Sequence, residues 1–165
     1  MTGGAMDHPI FRDARTKGVL LLGLLLTIAA PTYGQQRQSG WMADAANGCR
    51  VWNPFPEPDE TIKWEGPCVN GFAHGRGTLR WYSAGKLLET DQGEFKDGKL
   101  NGFAVLTFTS GRKFEGNLVD QKPQGQGTLS EANGEVYSGH WSQGCFNDRG
   151  RQATFNTSKQ ACGFN

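Results

Sequence analysis

Hydrophobic and small residues alternate with polar residues along most of the chain beyond residue 60. In one clear example, Phe114, Gly116 and Leu118 fall on one side of an extended strand, whereas Glu115 and Asn117 fall on the other. This period of two predicts antiparallel β-strands with one aromatic and glycine-rich face and one mainly polar face. We expect each glycine to leave room for a ring from a neighbouring strand, which offsets the weakening that glycine ordinarily causes in a strand.

The glycines also recur over a longer distance, which is the pattern of an internal repeat. Four consecutive segments open on a glycine in the same local setting, at Gly66, Gly93, Gly116 and Gly139. The last two intervals are both 23 residues, and a four-residue insertion between residues 81 and 92 lengthens the first. Turn residues such as Asp97-Gly98 separate the strands. The sequence therefore predicts an all-β fold, an elongated single-layer antiparallel sheet of tandem hairpins whose aromatic side is its only core.

These segments resemble the MORN repeat (membrane occupation and recognition nexus), which opens on Tyr-x-Gly-x-Trp/Phe and continues with further glycines at a 23-residue period. The opening is matched at residues 114–117 and 137–144, and the second half at residues 75–79 and 125–129. The resemblance covers about four repeats over residues 62–155. The second repeat departs at its opening, because Asp91 stands where an aromatic residue belongs, with Ala104 in place of a later glycine.

The resemblance implies the same hairpin fold and a protein-binding role, since proteins with these repeats act mostly as scaffolds and adaptors. Association with membranes or phospholipids is also proposed for the family. On this reading the partner is an unidentified protein.

The amino terminus has the pattern of a secretory signal peptide. Basic residues precede an uncharged apolar run at residues 18–30, and Thr32 and Gly34 are the small residues of a cleavage site before Gln35. A membrane-spanning helix needs ~20 apolar residues, so the run favours cleavage, with an uncleaved membrane anchor as the alternative. We therefore expect residues 1–34 to be removed, the protein to be periplasmic or extracellular, and residues 35–48 to form a flexible leader.

All four cysteines follow the predicted signal peptide, and an even number of cysteines in an exported chain predicts disulfides. Their spacing does not fit a structural zinc site. Of the three possible pairings we favour Cys49–Cys68 and Cys145–Cys162, because each bridge then brackets one end of the repeat array. The bridges would tie down an amino-terminal cap at residues 49–61, whose prolines exclude a central strand, and a carboxyl-terminal cap at residues 156–165.

Charge and motifs limit the classes of function. The chain has 17 basic and 16 acidic residues, a balance that argues against a nucleic-acid binder and gives no support for binding anionic lipids. The sequence lacks a Gly-x-Ser-x-Gly elbow, a P-loop and a His-Glu-x-x-His motif. The small acidic cluster of Glu57, Asp59 and Glu60 is interpreted as a solvated loop. We expect a protein without catalytic residues, metal or cofactor.

The aromatic residues on the predicted core face leave two interpretations open. They form the core of the sheet, or some of them remain exposed as a groove for a peptide, a glycan or a lipid head group. In the second case the candidate binding residues are Phe114, Tyr137, Trp141, Trp64 and Phe95. Two functions follow, namely a non-enzymatic scaffold or adaptor that binds a protein at the cell envelope, and a module that binds polysaccharide, peptidoglycan or lipid through the aromatic strip.

Overall fold

The computed structural model describes residues 40–164, which lie within one compact unit, Gln35–Asn165. The predicted signal peptide and the first part of the predicted leader lie outside the described residues. Residues 40–164 contain no helix, and hence none with the length and apolar character needed to cross a membrane. The strands of this part of the chain are Gly40–Ala43 (β1), Arg50–Asn53 (β2), Glu60–Glu65 (β3), Cys68–Val69 (β4), Phe72–Ala73 (β5), Gly75–Ser83 (β6), Lys86–Lys96 (β7), Lys99–Phe108 (β8), Lys113–Val119 (β9), Lys122–Ser130 (β10), Val136–Ser142 (β11), Cys145–Asp148 (β12) and Arg151–Thr154 (β13).

The large sheet has nine antiparallel strands, in the order β13-β12-β11-β10-β9-β8-β7-β6-β3. Apart from β3, each strand pairs with the strand next to it in the chain, so the predicted row of hairpins is confirmed. The turn at Asp97-Gly98 has φ angles of 49° and 79°. A two-residue hairpin turn of type I′ requires a positive φ at both positions, which explains this turn pair.

The predicted facing of the strands is also confirmed. Along β9, Phe114, Gly116 and Leu118 are buried, whereas the residues between them are exposed. A Cβ placed on Gly127 would lie 2.8 Å from Cζ of Phe114, so a side chain there would meet the ring. Small residues lie in register across six strands, so aromatic rings can lie over the sheet along this line. The line consists of Gly77, Gly93, Ala104, Gly116, Gly127 and Gly139.

A second, four-stranded sheet in the order β1-β2-β5-β4 packs against the aromatic side, which differs from the predicted single layer. Its residues Val51 and Ala73 belong to the same buried core as Trp64 and Phe95 of the large sheet. The predicted flexible leader enters this sheet from Gly40 onward, since β1 pairs with β2. The expectation that the cap at residues 49–61 contains no central strand is wrong, because β2 ends at Asn53, before the first proline, and lies between β1 and β5. The apolar and aromatic residues of this segment, which show no period in the sequence, are held by packing against the repeat array.

The amino-terminal segment follows a row of hairpin turns at one side of the large sheet. The Arg50 amide donates to the Gly71 carbonyl at 3.0 Å, and the Trp52 amide donates to the Gly98 carbonyl at 2.9 Å. Gly71 and Gly98 are the second residues of successive turns in the array. We call the second residues of these turns the turn row, which consists of Gly71, Gly98, Gln121 and Gly144.

The carboxyl-terminal segment occupies the other half of the turn row. The Phe155 amide donates to the Gly144 carbonyl at 2.9 Å, and the Asn156 side-chain amide donates to the Gln121 carbonyl at 2.8 Å. Gln121 joins the two segments, because its own side-chain amide donates to the Trp52 carbonyl at 2.9 Å. Its φ of 66° is unusual for a residue with a side chain, and this hydrogen bond accounts for a glutamine at a position where the other turns have glycine.

Both predicted disulfides are confirmed, with Cα–Cα distances of 5.9 Å for Cys49–Cys68 and 5.7 Å for Cys145–Cys162. The first bridge holds the small sheet, and the second holds the carboxyl-terminal segment against β12. The loop after β1 also covers the outer edge of β3, since the Asp44 carboxylate accepts a hydrogen bond from the Trp64 amide at 2.8 Å. This contact occupies the Trp64 amide, which is then not available for pairing with another chain.

Candidate functional site

The aromatic strip proposed as a binding groove is mostly buried. Phe114 and Trp141 are fully buried, and Trp64 and Phe95 are each 3% exposed. Tyr137 is half-buried and packs on the edge of the same core. Four of the five candidate binding residues therefore offer no surface to a partner in this structure, which favours the interpretation of the strip as core.

The two terminal segments explain why these rings are covered. Phe155 of the carboxyl-terminal segment stacks on Phe114, with ring centroids 4.9 Å apart. At the other end, Trp64 packs edge-on against Phe95, with centroids 4.6 Å apart, beneath residues of the small sheet. Sequence reasoning treated these segments as caps over the ends of the array, whereas they also cover its aromatic face.

The covered face contains a cavity at the second repeat. Asp91 takes the position that Trp64 and Phe114 hold in the first and third repeats, so a ring is missing at this point of the strip. The space forms a cavity of 230 Å³ between the two terminal segments. We call it the carboxyl cavity; its walls include Asn53, Phe55, Glu60, Trp81, Leu88, Glu89, Asp91, Leu100, Leu106, Phe108, Arg112, Gln121 and Asn156.

Asp91 is the most deeply buried acid of this cavity, with 4% of the residue exposed. Its Oδ2 accepts a hydrogen bond from the Trp81 indole at 2.9 Å. Its Oδ1 is buried and receives no N–H from the residues that the structure describes. The neighbouring carboxyl of Glu89 interacts with Asp91 and can donate to it only when it carries a proton.

Burial sets the protonation of this pair. Loss of hydration raises the pKa of Glu89 well above its usual range, and the negative charge of Asp91 raises it further. Burial also raises the pKa of Asp91, although hydrogen bonds from Glu89 and Trp81 oppose this. The two carboxyl groups therefore hold one proton between them at neutral pH, with Glu89 as its carrier.

The remaining charged groups of the cavity are positioned by other contacts. The Glu60 carboxylate accepts hydrogen bonds from the Asn53 side chain at 2.7 Å and from the Glu57 amide at 2.8 Å. The Arg112 guanidinium forms an ion pair with Glu131 at 3.1 Å. Arg112 also lines the cavity, so its charged and acidic groups are three carboxyl groups, of Glu60, Glu89 and Asp91, and one guanidinium.

The side chains of this cavity suit a small organic cation. Among residues 40–164, no three His, Cys, Asp or Glu side chains are grouped so that they could hold a metal. Trp81 and Phe108 provide aromatic wall, and the Arg112 guanidinium lies over the Phe108 ring at 5.9 Å from its centroid, which shows that a cation is accommodated there. The cavity therefore combines negative charge, apolar walls and a buried acceptor.

The opposite side of the large sheet, which we call the open face, carries an exposed aromatic residue. Phe103 is 52% exposed and lies between two shallow grooves of 390 and 410 Å³. Their rims are mainly polar and include Arg76, Thr78, Gln92, Glu94, Val105, Glu115, Gln126, Thr128 and Ser138.

Sequence reasoning missed both features for different reasons. The departure of Asp91 from the aromatic pattern was visible, and it was the signal that could have located the carboxyl cavity. Glu60 was interpreted as part of a solvated loop, because nothing in the sequence places it beside Glu89. Phe103 falls on a face that was expected to be mainly polar, and a single ring gives no period.

Comparison with protein families finds one match within the array. The family model described as MORN repeat matches residues 69–85 and 92–111. These two ranges include all of β6 and all of β8, which pair with β7 on either side of it. A search of curated proteins finds no match to this chain. The hairpins of β9–β10 and β11–β12 continue the same geometry beyond the matched ranges.

Proposed function

We propose that this chain, which matches the MORN-repeat model at residues 69–85 and 92–111, is a non-enzymatic interaction module that binds a partner protein, as a scaffold or adaptor, at the cell envelope. Modules built from these repeats take part in protein and membrane interactions. The observation that supports a binding role here is the open face, with Phe103 at its centre and a groove on either side.

The open face has the properties of a protein-binding surface. Central aromatic residues surrounded by polar groups are frequent hot spots of interfaces. The face belongs to a continuous hydrogen-bonded sheet and is braced from behind by the packed core, so little ordering is needed when a partner binds. The aromatic strip, by contrast, is already occupied by the protein's own terminal segments.

The cell envelope is proposed from two features. Two disulfides within one small domain suit an oxidising compartment, and the amino-terminal sequence has the pattern of a signal peptide. Intact mass of the protein purified from its native host tests the second feature, since a chain that begins close to Gln35 is expected.

The experiment on binding uses a matched pair of variants. Phe103→Ala removes the exposed ring, and Leu87→Ala removes an exposed apolar side chain, 40% exposed, that lies outside both grooves. We expect cross-linked partner proteins from envelope extracts to be lost with Phe103→Ala and retained with Leu87→Ala, at equal melting temperatures. A loss of affinity of about tenfold or more is typical of a hot-spot residue.

Two outcomes would overturn the proposal. Equal capture of partners by both variants would exclude the open face as the binding surface. Binding to isolated peptidoglycan or polysaccharide that depends on Phe103, without a protein partner, would replace the protein-binding role with a glycan-binding role.

A further inference from the structure

We propose that the carboxyl cavity binds a primary alkylammonium group, carried either by a free diamine or by a lysine side chain of a partner. The site is separate from the open face, and its occupant is defined by the chemistry of the cavity walls. Size, acceptor geometry, charge and wall composition each support this ligand class.

The size of the cavity fits a short alkyl chain. Its volume of 230 Å³ lies below the ~300–1,000 Å³ that is typical of sites for drug-sized molecules. Leu100 and Leu106 provide apolar wall for methylene groups, and Trp81 and Phe108 provide aromatic wall for the charged end. An aminobutyl group, which is common to lysine and to 1,4-diaminobutane, combines an apolar stem with a charged end, as these walls require.

The acceptors of the cavity call for a donor that has no acceptor of its own. Asp91 lines the cavity, and its buried Oδ1 has no N–H donor among the described residues, only the carboxyl group of Glu89 beside it. An ammonium group brings three N–H donors and a positive charge, which satisfies this oxygen and a second carboxylate at once. A buried carboxylate that gains such a partner no longer has to be neutralised by a proton.

The geometry favours an ammonium over a guanidinium group. A guanidinium pairs best with both oxygens of one carboxylate, in a planar fork. Asp91 Oδ2 already accepts the Trp81 indole, so Oδ1 is the only oxygen of Asp91 that still lacks an N–H donor among the described residues. Glu89 and Asp91 are two residues apart on one face of β7 and provide separate acceptors, which a tetrahedral ammonium can reach in different directions.

Occupation of the cavity is coupled to release of a proton. Before an ammonium group binds, Glu89 holds the proton that it donates to Asp91, because burial raises the pKa of Glu89. When the ammonium enters, this proton leaves to solvent and both carboxylates accept N–H groups from the ligand. Glu60 from β3 faces the pair and strengthens the attraction, whereas Arg112 opposes it. Binding should therefore become tighter as the pH rises.

Isothermal titration calorimetry on the chain with both disulfides formed tests the proposal. The probes are 1,4-diaminobutane and lysine blocked at both its α-amino and its carboxyl group; tetramethylammonium, which lacks N–H donors, is the control. We expect saturable binding of at least one amine, tighter at about pH 8 than at about pH 6, with release of up to one proton when buffers of different ionisation enthalpy are compared. Binding of only one amine identifies the source of the ammonium group.

The variants separate the cavity from general charge effects. Asp91→Asn keeps an oxygen for the Trp81 indole but removes the charge, and it should weaken amine binding about tenfold or more, as loss of a charge-assisted hydrogen bond does. Glu89→Gln should abolish the proton release. Glu115→Gln removes a charge from the open face and should leave amine binding unchanged, as should Phe103→Ala.

Two results would overturn the proposal. One is the absence of saturable binding by either amine at millimolar concentration. The other is unchanged amine affinity in both Asp91→Asn and Glu89→Gln, with melting temperatures that show both variants to be folded. Either result would leave the open face, which is tested by Phe103→Ala, untouched.

Discussion

The second repeat replaces a ring and a glycine with an acid and a methyl group, and a double-mutant cycle can test whether these two changes belong together. In the third repeat the Phe114 ring lies over Gly127, with 2.8 Å between Cζ and a Cβ built on the glycine. The corresponding pair in the second repeat is Asp91 and Ala104. We predict that the double variant Asp91→Phe/Ala104→Gly is more stable than the sum of the two separate effects on the free energy of unfolding.

The magnitudes follow from contacts in the cavity. Asp91→Phe alone gains about 1.5–3 kcal/mol from burial of the ring, but it loses the acceptor of the Trp81 indole, at about 1–3 kcal/mol. Its ring also meets the Ala104 methyl group, at about 1–3 kcal/mol for overpacking. Ala104→Gly alone removes one buried methyl group and loosens the strand, at about 1 kcal/mol. In the double variant the ring occupies the freed space, so a favourable coupling of roughly 1–3 kcal/mol is expected.

Urea unfolding of the four proteins, with both disulfides intact, gives this coupling energy. Asp91→Phe combined with Ala153→Gly is the control, because Ala153 is a half-buried alanine on β13 that does not line the cavity. That pair should be additive. A coupling between Asp91→Phe and Ala104→Gly within about 0.5 kcal/mol of zero would refute the argument that the acid and the methyl group together replace the ring.

Three further predictions use single variants. Gly127→Val should lower the free energy of unfolding by about 1–3 kcal/mol, because the valine side chain would collide with the Phe114 ring. Asn117→Val on the open face should change the free energy of unfolding by no more than about 0.5 kcal/mol. Equal melting temperatures of the two variants would contradict the facing assignment. Relative to the wild type, Glu89→Gln should become more stable as the pH rises above about 4, by up to about 1.4 kcal/mol per pH unit. The reason is that the raised pKa of Glu89 makes the folded wild type keep a proton that the unfolded chain loses. If the stabilities of the two proteins changed with pH in parallel, Glu89 would have an ordinary pKa in the folded state and the reasoning would be wrong. Gln121→Ala should lower the free energy of unfolding by about 1 kcal/mol, because the hydrogen bond to the Trp52 carbonyl is lost. Gln121→Gly should lower it less, because glycine also relieves the backbone strain at a positive φ. If denaturant unfolding showed the glycine variant to be the less stable of the two, the argument from backbone strain would be wrong.

The sheet and its facing could be predicted from the sequence because both follow from local patterns. The alternation around Phe114 and the glycines under its ring are properties of single strands and their neighbours. The disulfides followed from the number and position of the cysteines. These features need no knowledge of how distant segments meet.

The terminal segments and the carboxyl cavity could not be predicted in the same way. The Arg50 and Trp52 amides donate to turn carbonyls through backbone groups. Since nearly every residue has these groups, the side-chain pattern of the sequence does not indicate such contacts. Asp91 was recognised as a departure from the repeat, but its chemistry depends on burial beside Glu89 and on Glu60, which is distant in the chain. The repeat pattern thus identifies Asp91 as unusual, and only the tertiary structure shows that Asp91 lies in a cavity with other acidic residues.

The turn row has a consequence for how this protein can evolve. Arrays of repeats commonly change length by duplicating or deleting a unit, because each unit contacts only its neighbours. Here the two terminal segments share the turn carbonyls between them and meet at Gln121. An added 23-residue unit would present a turn carbonyl beyond the reach of either segment and a stretch of aromatic face without cover. The combined length of the two terminal segments therefore matches the number of repeats, and a repeat can be gained or lost only if the terminal segments change in length as well.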